Sequence, residues 1–165
     1  MRVIPITCRA AAVCAALLIA SPCYLAGQRA TQTISFRVEP INQISVQGSP
    51  VLTVRDAIPG GPLSSVTVDG STWSVTTNST GAKITANLDQ DLPAGLTLSV
   101  SLGAPTGAAS AGLQVLRTTP VDVVANVSRT AAADLPIRYR LDAAITSGVV
   151  VEGTRHIVFT ITDGM

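Results

Sequence analysis

Apolar and polar residues alternate over most of the chain, most regularly between residues 71 and 102. Three runs in this stretch place an apolar side chain at every second position; they are residues 71–77, 83–88 and 96–102. A period of two is typical of β-strands that bury one face and expose the other. The connecting segments contain Asn, Asp, Gly and Pro, which favour turns. The stretch is therefore predicted to form a three-stranded antiparallel meander.

Shorter runs with the same alternation precede and follow this stretch. They are residues 31–38, 41–46, 51–54, 65–68, 114–116, 121–127, 136–143, 147–151 and 155–162. Asp69-Gly70 is predicted to be a turn before the tryptophan strand, and residues 131–134 can hold one helical turn. The sequence contains no helical pattern longer than one turn. About ten short strands predict an all-β fold, a two-sheet antiparallel immunoglobulin-like sandwich.

The inward positions of these strands define a predicted hydrophobic core. Trp73, the only tryptophan of the chain, alternates with Val75 and is placed in that core. The other predicted core residues are Phe36, Val38, Ile84, Leu88, Leu98, Val100, Val123, Ile137, Tyr139, Ile157 and Phe159.

The N-terminus has the features of a signal peptide. Arg2 and Arg9 precede an apolar run over residues 10–20, which is too short to span a bilayer. We therefore predict a signal helix over residues 1–27, followed by one β-sandwich domain over residues 28–165. Two alternatives are an acylated Cys23 and an ordinary buried N-terminal helix, and this run has no polar face for the latter.

Composition narrows the possible partners and the compartment. All three cysteines lie in or beside the leader, so the predicted domain has neither a disulfide nor a thiol ligand. The net charge is only +1 and Lys83 is the only lysine, so we expect no nucleic-acid partner. We expect no membrane span after removal of the leader, and a secreted or cell-surface protein, with the periplasm also possible.

Residues with catalytic chemistry are few. The single histidine, His156, falls on the face opposite Ile157 and Phe159 and is predicted to face solvent. No nucleophile elbow, zinc-binding helix or phosphate loop is present in the sequence. We therefore expect a protein that is not an enzyme and has no cofactor.

The sequence offers two candidate ligand sites, and each has a simpler interpretation. Asp89 and Asp91 have the spacing of a calcium loop but lack its further carboxylates, which favours a plain turn. Trp73 can serve as a sugar-stacking platform only if it lies outside the core. Asn78 and Asn126 head glycosylation motifs, which matter only in a eukaryotic secretory host.

A leader, an extended first strand and an alternating body together resemble small bacterial exported β-sandwich proteins of the pilin-like, spore-coat or matrix-fibre type. The chain lacks the cysteine pair found in many chaperone-assembled pilins. The resemblance implies a non-enzymatic structural or adhesive cell-surface protein that associates with itself or with other surface proteins. The alternative from another class is an extracellular glycan-binding module, and an enzyme comes third.

The first strand offers one way in which such subunits can join. Residues 31–38 place Ile34, Phe36 and Val38 on one face, and Pro40 separates this run from the next strand. A strand of this kind can leave its own sheet and pair with the free edge of a neighbour. Ile34, Phe36 and Val38 are therefore a candidate donor strand, and the alternative is that they form the first strand of their own sandwich.

Overall fold

The structure is a computed structural model that describes residues 29–164. The predicted signal helix over residues 1–27 lies outside the described residues. The body of the protein is a compact unit that begins at Arg37, and residues 29–36 are the described part of the unit that precedes it.

The described chain contains nine β-strands and one short 3₁₀-helix. The strands are β1 Asn42–Gln47, β2 Val66–Thr77, β3 Ala82–Leu88, β4 Leu96–Leu102, β5 Ala109–Ser110, β6 Gln114–Val115, β7 Val121–Val127, β8 Thr130–Ala143 and β9 Ile157–Thr162. The 3₁₀-helix covers Ile145–Ser147. The fold is all-β, as the alternation predicts.

The strands form two antiparallel sheets that do not close on each other. The five-stranded sheet has the order β1-β2-β8-β4-β6, and the four-stranded sheet has the order β5-β7-β3-β9. The sandwich-like arrangement follows from the alternation, because each sheet has one apolar face that must be buried. The sequence predicts about ten strands, and nine are present in the described part, but the runs predicted over residues 51–54 and 147–151 form no strand.

The central ladder joins β2 to β8. It runs from Val66 opposite Leu141 to Thr77 opposite Thr130. β1 pairs with the other side of β2, and β4 pairs with the other side of β8. β8 extends through residues 131–134, so the helical turn predicted there is wrong. Ala131 and Ala132 pair with Thr76 and Val75 of β2, and the other two residues lie at a register shift within the same ladder, so the strand takes the place of a local helical turn.

Asp69-Gly70 lies in a β-bulge within β2. The register with β8 shifts between Val68 and Ser71, and Gly70 adopts a φ of 111°. This conformation favours glycine, and a bulge of this type bends a strand without ending it. The predicted turn at this position is therefore wrong, and residues 66–77 form one strand.

The predicted meander over residues 71–102 is also wrong. Its three runs do form strands, β4 with the predicted bounds, but β2 and β4 belong to the five-stranded sheet and β3 belongs to the other. β8 lies between β2 and β4. Each turn in this stretch therefore carries the chain from one sheet to the other.

The core lies between the sheets, and most of the predicted members are there. Trp73 is 0 % exposed, and its Nε1 donates a hydrogen bond of 3.0 Å to the carbonyl oxygen of Gly103. The other predicted residues that are buried are Val75, Ile84, Leu88, Leu98, Val100, Val123, Ile137 and Tyr139. Burial raises the pKa of the Tyr139 hydroxyl.

The four remaining predicted core residues are not fully buried. Ile157 and Phe159 are only half-buried and pack at the margin of the core. Phe36 and Val38 are exposed, so their assignment to the core is wrong. Alternation identifies which side chains share a face, but it does not show whether another sheet covers that face.

Replacing Trp73 with Ala should lower the free energy of unfolding by about 3–5 kcal/mol, because burial is lost, a cavity forms and the bond to Gly103 disappears. Chemical denaturation gives this difference. Thr76→Ala, on the exposed face of the same strand, is the control and should stay within about 0.5 kcal/mol of the parent. Equal midpoints for Trp73→Ala and the parent would contradict the packing of β2.

Candidate functional site

The N-terminal segment, residues 29–40, is extended and belongs to neither sheet. Ile34 is 74 % exposed, Phe36 is 92 % exposed and Val38 is 78 % exposed. Residues 31–38 form no strand, so the strand predicted there is wrong. Three large apolar side chains on one face of an unpaired segment are unusual on a protein surface, where exposed apolar residues are normally scattered.

Asn78, the residue that follows β2, fixes the junction between this segment and β1. Its Oδ1 accepts a hydrogen bond of 2.7 Å from the backbone N–H of Ile41, and its Nδ2 donates to the carbonyl oxygen of Glu39 at 2.8 Å. The backbone N–H of Asn78 also donates to the Ile41 carbonyl oxygen at 3.2 Å. These bonds continue the β1–β2 ladder and hold residues 39–41 in line with β1.

The sheets expose two edges of useful length, β1 and β9. In the described chain, β1 pairs only with β2, and β9 pairs only with β3. Their inward side chains include Ile44 of β1 and three residues of β9, all partly buried against the core; those of β9 are Ile157, Phe159 and Ile161. Val46 of β1 is 39 % exposed. This side of the protein therefore combines free backbone groups with incompletely covered apolar side chains.

A polar contact joins the two edges at one end. The Nδ2 of Asn42, the first residue of β1, donates a hydrogen bond of 2.6 Å to Oδ1 of Asp163, which follows β9. The hydroxyl of Thr77 donates to Asn42 Oδ1 at 2.6 Å. The bond from Asn42, with a second from Ser79, holds the pKa of the Asp163 carboxyl below its usual value.

The opposite side of the two sheets is closed by the chain itself. The edge strands there, β5 and β6, have two residues each, and only residues 111–113 separate them as the chain passes from one sheet to the other. The hydroxyl of Ser110 donates to the carbonyl oxygen of Leu102, and Leu116 is buried beneath this crossing. Short edges covered by a crossing offer little room for a further strand.

Asp89 and Asp91 lie in the exposed loop between β3 and β4. Asp89 Oδ1 accepts a hydrogen bond of 3.0 Å from the backbone N–H of His156, and Asp91 Oδ1 accepts one of 3.4 Å from the hydroxyl of Thr118. The Asp91 carbonyl oxygen accepts from Arg155 Nε at 3.0 Å. Within residues 29–164, no group of three Asp, Glu, His or Cys side chains is arranged to hold a metal ion. Both carboxylates therefore have a role in fixing the loops.

Other residues singled out from the sequence are found in ordinary structural roles. His156 is exposed, as predicted, and its backbone binds Asp89 at both its N–H and its carbonyl oxygen. Trp73 is fully buried, so it offers no platform for a sugar ring. The amide of Asn78 is engaged with residues 39 and 41.

The outer face of the five-stranded sheet carries two arginines of β8. Arg138 Nε lies 2.8 Å from Asp69 Oδ1, and Arg140 Nη2 lies 2.9 Å from Asp142 Oδ1. The hydrogen bond from Arg138 lowers the pKa of Asp69. The pKa of Asp142 is lowered first by a hydrogen bond from the Ser65 hydroxyl and second by the hydrogen bond from Arg140. The positive charges on this face are thus paired with neighbouring carboxylates.

Comparison with known proteins identifies no relative: no family model matches the chain, and no curated protein matches it. Among the helices of the described chain, none has the length and apolarity needed to cross a membrane.

The sequence identified the apolar face of the N-terminal segment but not the residues that hold its base. In the sequence, Asn78 indicates only a turn and a glycosylation motif, and no pattern points to Asn42 or Asp163. Their partners lie 37 to 121 residues away along the chain, so no local pattern indicates the contacts. The one available signal is that an Asn placed just after a strand often bonds to neighbouring backbone groups.

The contact between Asn42 and Asp163 should make stability depend on pH. Because the pKa of Asp163 is lower in the folded protein, its stabilising effect is present above the usual carboxyl range and is lost as the pH falls below about 4. Asp163→Asn should therefore have a lower melting temperature than the parent at neutral pH and a smaller difference at acid pH.

The control is Asp134→Asn, which removes a carboxylate from an exposed position whose φ of 54° suits Asn as well as Asp. Thermal melts of both variants and the parent across the acid range provide the measurement. An Asp163→Asn variant that differs from the parent by the same amount at every pH would rule out a contribution from this carboxylate's ionisation.

Proposed function

We propose that this chain is a secreted, non-enzymatic structural or adhesive protein of the cell surface, and that copies of it join into an extracellular fibre through the N-terminal segment. The observation that carries the proposal is the exposure of Ile34, Phe36 and Val38 on an extended, unpaired segment. Such a segment in one copy and a free sheet edge in another are complementary.

The physical drive for association comes from two sources. The segment's backbone N–H and C=O groups can form a ladder with an unpaired edge, and its apolar side chains can leave water at the same time. Neither gain requires the body of the protein to unfold, because the segment contributes no strand to either sheet. Association therefore adds interactions without removing existing ones.

The rest of the proposal follows from the sequence. The apolar run over residues 10–20 supports export, with cleavage between Cys23 and Ala30 and a final place outside the cell or in the periplasm. The two antiparallel sheets are compatible with an immunoglobulin-like sandwich over residues 28–165. The sequence has no nucleophile elbow, zinc-binding helix or phosphate loop, which supports a role that does not involve catalysis.

Replacing Phe36 with Glu should abolish self-association, because a carboxylate cannot enter an apolar interface without a large desolvation cost. The matched control is Ser35→Glu, which adds the same charge one position away on the opposite face and should leave association intact. Sedimentation velocity of the parent and both variants gives the mass of the assemblies.

Thermal melts of the three proteins separate this effect from misfolding. Phe36 is 92 % exposed, so Phe36→Glu should melt at the same temperature as the parent measured as a monomer. A parent protein that stays monomeric at high concentration, or a Phe36→Glu variant that still assembles, would refute the proposed role of the segment.

Export predicts a shortened chain. Mass spectrometry of the protein from its native host should find a mature N-terminus between Tyr24 and Thr31, without an acyl group on Cys23. Recovery of the intact chain, beginning at Met1, from the cytoplasm would refute export.

A further inference from the structure

We infer that the N-terminal segment of one copy pairs with the free edge of β9 in a second copy. This inference rests on the proposed function and adds to it the acceptor strand. The edge of β9 is six residues long and belongs to the smaller of the two sheets. Addition of a strand there would give two five-stranded sheets.

The hydrogen-bond pattern of β9 shows which of its backbone groups are free. The N–H of Asp89 donates to the carbonyl oxygen of His156, so these two residues form a hydrogen-bonded pair in the ladder between β3 and β9. In an antiparallel ladder the backbone groups of successive residues point to opposite sides. The N–H and C=O groups of Ile157, Phe159 and Ile161 therefore point away from β3, toward the free edge.

The same three residues also carry the inward-facing apolar side chains of β9, whereas Val158 on the opposite face is exposed. They pack against the core but remain half-buried, so their outer flank is uncovered. A strand bound along this edge would place every second side chain beside them, on the core side of the sheet. The edge therefore requires an apolar residue at alternate positions of its partner.

The N-terminal segment meets this requirement in pattern and in length. Ile34, Phe36 and Val38 recur at alternate positions, and the residues between them are Ser35 and Arg37, which suit the solvent side. Residues 31–38, the alternating part of the segment, span about 27 Å and the six residues of β9 about 20 Å, at roughly 3.4 Å per residue. One copy of the segment can thus cover the whole edge.

The edge of β1 is a poorer match. Only two of its three inward residues, Ile44 and Val46, are apolar. The third is Asn42, whose amide already bonds to Thr77 and Asp163. A large apolar side chain placed beside Asn42 would either break these hydrogen bonds or exclude water from the polar groups that form them, and both effects cost free energy.

The junction at Asn78 favours pairing between copies over pairing within one copy. To lie beside β1 and β9 of its own body, the segment would have to reverse direction at residues 39–41. Asn78 holds those residues in line with β1 through the Glu39 carbonyl oxygen and the Ile41 N–H. A reversal would break both bonds, whereas pairing with a second copy leaves them intact.

Photocrosslinking in the full chain tests the acceptor strand. A light copy carries p-benzoylphenylalanine in place of Ser35, on the solvent side of the segment, and is mixed with an isotopically heavy parent chain before irradiation. Trypsin then separates the three regions of interest, because the segment falls in residues 30–37, β1 in residues 38–55 and β9 in residues 156–165.

We expect light residues 30–37 to be linked to heavy residues 156–165. The control is the same photoreactive residue in place of Thr97, which is exposed on β4 of the other sheet; capture of residues 156–165 should be lost. Three results in a mixture that still assembles would overturn the inference and leave the proposed function standing. They are links to heavy residues 38–55, links found only within light chains, and links to neither region. A parent chain that does not assemble would overturn both.

Discussion

The ladder between β2 and β8 is the interaction on which the rest of the structure depends. It aligns the two longest strands, and β1 and β4 extend the sheet on either side of them. It also sets the position of Trp73, whose indole N–H reaches Gly103 at the end of β4. The N–H of Gly103 donates in turn to the carbonyl oxygen of Pro136 in β8, at 2.8 Å. A Cβ at Gly103 would come within 2.8 Å of the Pro136 ring, so this junction requires glycine. Backbone groups of Gly103 and Pro136 thus link β2, β4 and β8 beside the core.

The sequence was sufficient for the class of fold and for most of the core, because both follow from local alternation. Nine of the predicted core residues, including Trp73 and Tyr139, are buried. Partner choice between strands was not predictable in the same way. β2, β3 and β4 follow one another along the chain, yet β2 pairs with β8, about sixty residues later, and β3 pairs with β7 and β9. Such pairings are decided by the fit of whole faces, which no short window of sequence contains. The bulge at Gly70 shows the same limit, since Asp-Gly favours a turn unless a long partner strand continues beside it.

The candidate site was predictable in part. Alternation identified Ile34, Phe36 and Val38 as one apolar face, but the same pattern also placed Phe36 and Val38 in the core. The structure separates these alternatives, because both side chains are exposed. The contacts at the base of the segment depend on Asn78 and on the pair Asn42 and Asp163. Asn and Asp are common residue types, and no sequence pattern marks these three. Their importance comes from position at the ends of β1, β2 and β9, and such positions exist only once the sheets have formed.

The proposed fibre would form after folding of the body and not as part of it. The body buries its core without Phe36 or Val38, so its folding is complete before any partner is present. In the proposed fibre, the free energy of association would arise only from the strand added at an edge, and it would be set against the conformational entropy that the segment loses on binding. The proposed association would therefore depend on protein concentration through mass action and would leave the fold of the free protein unchanged. Under the proposed function, the protein would be exported as a folded monomer and would join its neighbours where its local concentration becomes high.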